Sequence, residues 1–136
     1  MKKVVALFCV VSLLLGTIPV AFAATSQQQT AANSLYWLGL FKGTGITANG
    51  NPIFSLDKSA TRDEAVTMLV RLLGKEEAAK NENGDIPFDD VETWAKPYVG
   101  YAYQNKLTSG ISTTKFGGTN KIKPEQYITF VLRALG

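Results

Sequence analysis

Two stretches of the chain carry the same helical pattern. Residues 61–74 read TRDEAVTMLVRLLG and residues 123–136 read KPEQYITFVLRALG. With Thr61 laid on Lys123, Thr67, Arg71, Leu73 and Gly74 fall on Thr129, Arg133, Leu135 and Gly136. The same shift lays Phe54 on Phe116. A repeat longer than a helix and shorter than a domain restricts the fold to small units that bury their faces against one another. The sequence therefore predicts an all-α fold: two helix-loop-helix units packed side by side, with short β-like segments in the loops.

The chain opens on a removable segment. Met1, Lys2 and Lys3 form a basic start, residues 4–15 an apolar core, and Ala21-Phe22-Ala23 a small-x-small cleavage site. This is the pattern of a secretory signal peptide, with Gly16 and Pro19 interrupting the apolar run. The expected organisation is a signal over 1–23, a first unit over 24–80 that is incomplete at its start, and a second unit over 88–136. No transmembrane segment is expected after cleavage.

Composition excludes much chemistry. The formal charge is +3, but Lys2 and Lys3 leave with the signal, so the mature chain is close to neutral. It has no basic stripe interleaved with aromatics, and nucleic acid is not an expected partner. There is no histidine, and the single cysteine, Cys9, lies in the signal. Ser-His and Cys-His pairs and His- or Cys-ligated zinc are thereby excluded. Asp89-Asp90 and Asp63-Glu64 are adjacent carboxylates, and sequence neighbours do not converge on one reacting atom. No enzyme activity, cofactor or metal site is expected.

Four helical segments are predicted in the mature chain. Residues 25–30 are polar and frayed, and 31–41 follow as the first helix, with Trp37 turned to the core. The second helix spans 61–73. Thr61 and Glu64 have capping-box spacing and Gly74 has the position of a C′ glycine. Residues 75–87 form a charged, turn-rich linker. Thr93 can cap the third helix, with Pro97 in its first turn, and Gly110 closes the turn that follows it. The fourth helix begins near Pro124. Val66, Leu69, Val70 and Leu73 form an apolar stripe, with Ile128, Val131, Leu132 and Leu135 as counterparts. A second row beside each stripe predicts a face covered on more than one side. Arg71 and Arg133 suit the negative ends of their helices.

Phe88-Asp89-Asp90-Val91, Trp94-Ala95, Tyr98, Leu107-Thr108-Ser109-Gly110, Phe116 and the closing Leu132-Arg133-Ala134-Leu135-Gly136 together resemble an S-layer homology (SLH) repeat. The first unit resembles it from Leu40-Phe41-Lys42-Gly43-Thr44-Gly45 onward, through Phe54 and Thr61-Arg62-Asp63-Glu64. The resemblance implies helical repeats and a secreted protein of the cell wall or S-layer surface. It further implies non-covalent attachment to secondary cell-wall polysaccharide, pyruvylated or not. The residues it nominates as ligand contacts are Arg62, Glu64, Asp90, Trp94 and Gly110. The second unit has Lys123-Pro124-Glu125-Gln126 where the first has Thr-Arg-Asp-Glu, so Lys123 offers a point charge in place of the guanidinium fork.

Each nominated residue also has a structural role open to it. Glu64 can close a cap, Asp90 can cap the third helix, Trp94 can fill the core and Gly110 can end a helix. Arg62 stands equally as ligand contact or as solvated surface. The alternative function is an envelope module that self-associates or docks other SLH units without binding glycan.

Overall fold

A computed structural model describes residues 25–81 and 85–136. The signal sequence expected over 1–23 lies outside the described residues. Five helices and one small hairpin appear among those described: α1 (Ser26–Trp37), β1 (Gly45–Ile46), β2 (Pro52–Ile53), α2 (Arg62–Leu72), α3 (Glu76–Asn81), α4 (Lys96–Gln104) and α5 (Pro124–Leu135). The architecture is mostly helical. The β-like element is an antiparallel pair with Gly45 opposite Ile53 and Ile46 opposite Pro52.

Local chemistry sets the helix ends. Thr61 Oγ1 accepts from Glu64 N at 3.2 Å, and Glu64 Oε2 accepts from Thr61 N at 2.7 Å. That reciprocal box satisfies two of the orphan groups at the start of α2. Gly74, at φ +66°, follows the C-cap Leu73. Thr25 and Gln28 build the same box on α1, so the helix begins at Ser26 and 25–30 is not frayed. In α5 only half survives: Lys123 N donates to Gln126 Oε1 at 3.0 Å, and lysine has no acceptor to answer with.

Three expectations need correction. The linker at 75–87 contains α3, whose Ala79 is fully buried. Thr93 does not cap α4; the N-cap is Ala95, with no side-chain bond, because residues 93–95 already form a turn. Gly110 does not end α4, whose C-cap is Asn105. A Cβ on Gly110 would lie 2.5 Å from Phe88 Cε1 and 2.6 Å from the Lys115 carbonyl, so glycine is there for close approach.

The core collects Val66, Leu69 and Val70 of α2, Tyr98, Val99 and Ala102 of α4, and Phe88, Phe116 and Phe130. Burying each aliphatic side chain contributes roughly 1.5–3 kcal/mol. The twin helices do not share this burial equally. Val66 and Val70 are fully buried, whereas their counterparts Ile128 and Leu132 are 57% and 61% exposed. In α5 the row holding Tyr127, Phe130, Val131 and Ala134 faces the core instead. The face of α5 is covered on one side only, contrary to the pattern expected from its stripe.

The two helix starts are stitched together. Thr61 bridges Lys121, Arg62 N donates to Asn120 O at 2.9 Å, Asp63 N to Gly118 O at 3.0 Å, and Ile122 N to Ala60 O at 2.9 Å. Free N–H groups in the first turn of α2 thus find their acceptors in the loop leading to α5.

Candidate functional site

The start of α2 sends two neighbouring side chains in different directions. Arg62 is 4% exposed. Its Nε donates to Phe116 O at 2.9 Å and its Nη2 to Ser109 O at 3.1 Å. The guanidinium carbon lies 4.7 Å from the Phe116 ring centre and 5.2 Å from that of Phe130. Arg62 is therefore not solvated surface but a buried clamp between α2 and the loop before α5. Burial pulls its pKa below the ordinary guanidinium value, while Asp63 and Asp90 oppose that shift.

Asp63 is fully buried. Its Oδ2 accepts from Glu92 N at 3.1 Å, and its Oδ1 has no partner among the described residues. Burial raises its carboxyl above the ordinary range. The Glu92 N–H works against that rise, and the charges of Glu92 and Asp90 add to it. A Cβ on Gly118 would meet this carboxylate at 2.5 Å, so only glycine lets the loop sit there.

Asp90 caps no helix. Its Oδ1 accepts from Phe116 N at 2.7 Å and its Oδ2 from Gly117 N at 2.9 Å. Burial acts to raise its carboxyl, but these two bonds outweigh it and hold the pKa below the ordinary value. Nor does Trp94 fill the core. It is 48% exposed, and its indole N–H donates to Glu92 Oε2 at 2.8 Å. Trp37 is 83% exposed rather than turned inward.

Among the described residues, two cavities take in nominated side chains. The larger, about 580 Å³, lies between the 41–44 turn, the 54–60 loop, α2 and the 92–94 turn. Trp94 and Glu64 line it, as do Lys42, Lys58, Arg71 and Lys121. Four cationic side chains thus face it against two carboxylates, Glu64 and Glu92. Thr44 and Ser55, whose hydroxyls lie 2.8 Å apart, add polar groups to its wall. The smaller cavity, about 200 Å³, is lined by Arg62 and Gly110 together with Gln126 and Arg133 of α5. Arg62 and Trp94 thus open onto different cavities. Asp90 and Lys123 line neither.

Sequence reasoning did not single out Lys42, Lys58 or Lys121. One signal was present: Phe41-Lys42-Gly43 sits in the turn that resembles the family pattern. Lys121 carries no local signal, because it reaches the cavity only through its bridge to Thr61. Lys42 Nζ is itself held by Glu76 Oε1 at 3.0 Å, which also accepts from Tyr98 Oη at 2.9 Å. Partial burial opposes the charge on Glu76, but Lys42, Tyr98 and Arg71 pull its carboxyl down to about 2. Arg71, with its Nε 3.4 Å from Glu76, belongs to this ion cluster and not merely to the helix end.

The chain is similar over its full length to segments of bacterial surface proteins. It is 32% identical to part of a cell surface protein of Thermoanaerobacter kivui, spanning 19% of that protein. It is 33% identical to part of a surface layer protein of Brevibacillus choshinensis, spanning 13%. It is 30% identical to part of a middle cell wall protein of Brevibacillus brevis, spanning 14%. These relatives place the chain at the bacterial cell surface. It covers less than a fifth of each one's length. No family model matches it, and no solved structure matches it significantly. Among the described residues no helix is long and apolar enough to cross a membrane, and no group of carboxylates is placed to hold a metal ion.

Proposed function

We infer that the chain attaches non-covalently to secondary cell-wall polysaccharide through the larger cavity, as an SLH-type module without enzymatic activity. One observation carries this reading. Trp94, half exposed and pinned by Glu92, faces the same cavity as Glu64, Lys121 and Lys42. An indole offers its apolar face to the C–H side of a pyranose. Carboxylates and hydroxyls beside it accept and donate to sugar hydroxyls. Lys42 and Arg71 are held by Glu76, so Lys58 and Lys121 are the cations left to meet an acidic sugar, and a pyruvyl ketal supplies a carboxylate. Arg62, Asp90 and Gly110 then act from behind, fixing the loops that carry the walls. Similarity to surface layer and cell wall proteins supports the reading.

Retention on purified sacculi tests it. The folded chain should sediment with sacculi, and Trp94→Ala or Lys121→Ala should release it with little change in thermal midpoint. Chemical removal of pyruvyl groups should weaken retention. Retention indifferent to both substitutions and to pyruvyl loss would sink the proposal.

A second reading has its own observation. Ile128, Leu132 and Leu135 of α5 lie at helical spacing, all more than half exposed. Such a stripe suits docking against another chain of the envelope, or a second copy, without glycan. Sedimentation velocity at rising concentration distinguishes the two, since Leu132→Lys abolishes association only under this second reading.

A further inference from the structure

The larger cavity has an aromatic continuation that the proposed attachment does not use. Phe41 and Phe54 line its wall, their rings stacked with centres 5.3 Å apart. Tyr36, at the end of α1, meets Phe54 edge-on at 6.0 Å. Trp37 meets Tyr36 edge-on at 5.6 Å. Phe54 is buried and spaces the series, Phe41 and Tyr36 are part-buried, and Trp37 is 83% exposed. The rings thus lead from the cavity wall to the surface, where Tyr36 and Trp37, with ring centres 5.6 Å apart, are the pair open to a ligand.

We propose that this series is a carbohydrate track, so that the chain grips a run of consecutive sugars and not a single terminal unit. The inference rests on the polysaccharide reading above and specifies its substrate as an extended glycan. Three observations support it. A largely exposed tryptophan beside a tyrosine gives amphipathic faces that pack on sugar rings without costing core stability. The series is continuous with the cavity wall at Phe41 and Phe54. Where the track meets the cavity, the Thr44 and Ser55 hydroxyls sit beside Phe54, placed to bond sugar hydroxyls at the junction. The two hydroxyls at this junction suit a polyol better than an apolar protein segment, which would offer them no partner.

The test uses the full chain and wall polysaccharide released from sacculi and split by size into short and long fragments. Affinity of each pool is read by calorimetry for the unaltered protein, Trp37→Ala and Trp37→Phe. The expected result is that Trp37→Ala weakens long-fragment binding about five-fold and leaves short-fragment binding unchanged, with Trp37→Phe intermediate. Equal affinity of Trp37→Ala and the unaltered protein for long fragments overturns the track, while the cavity reading survives if Trp94→Ala still lowers both. A protein that binds neither pool overturns the polysaccharide reading and the track with it. Trp37 is 83% exposed, so a matched unfolding curve shows that the variant is intact.

Discussion

Arg62 grips Phe116 twice: its Nε donates to the Phe116 carbonyl at 2.9 Å while its guanidinium lies 4.7 Å from the centre of the Phe116 ring. Phe116 is the counterpart of Phe54 in the doubled pattern, so one stretch holds the anchor of the other. Arg62→Ala should cost ~3 kcal/mol, because the buried Phe116 carbonyl and the part-buried Ser109 carbonyl lose a charged donor and two rings lose a cation. Urea unfolding measures it. Arg62→Lys should recover little, since an ammonium cannot address both carbonyls from one plane.

Val70 and Leu132 occupy equivalent places in the twin helices but not in the fold. Val70→Ala should destabilise by ~2 kcal/mol through lost burial and the cavity left behind. Leu132→Ala should change stability by less than ~0.5 kcal/mol, as exposed positions do. Denaturant midpoints at constant slope provide the comparison, and equal losses at both sites would contradict the burial described for α5.

Glu76 makes the fold acid-sensitive. Its carboxyl is held at about 2, below its ordinary value of 4.5. A depressed carboxyl contributes stability that is present above the ordinary value and lost as pH falls through the folded one. Stability should therefore drop between about pH 4.5 and pH 2. Asp90 adds a loss of the same sign. Glu76→Gln should be less stable at pH 7 and show a shallower acid slope, which thermal melts across that window resolve.

Asp63 has the opposite sign. A raised carboxyl contributes stability below its unfolded pKa that is lost as pH rises through the folded value. Asp63→Asn keeps an acceptor for the Glu92 N–H and removes the buried charge. It should raise the melting midpoint at pH 7 and leave it unchanged at acid pH. Asp63→Ala, which strands that N–H, should lower the midpoint by an amount worth about 1–3 kcal/mol.

What could be read without the structure was local. Thr61, Glu64 and Gly74 announced the ends of α2, because caps depend on residues a few positions apart. The missing histidine and the single early cysteine removed whole classes of chemistry. The hidden helix α3 escaped notice because Glu76–Asn81 is short and polar, and its one buried residue, Ala79, carries no periodic signal. Glu76 gave no sign of its role, since its partners Lys42, Arg71 and Tyr98 come from three other segments.

By itself the sequence determined where the twin helices lie, how they start and stop, and which catalytic groups the chain lacks. Only the tertiary structure decided which faces those helices bury, that Arg62 is a clamp and Trp94 a half-exposed ring, and that Lys121 joins Trp94 at one cavity. The division has one physical cause. Caps and periodicity are settled within a turn or two of chain, whereas burial and charge depend on which distant segment arrives, and here the loop before α5 arrives at the start of α2.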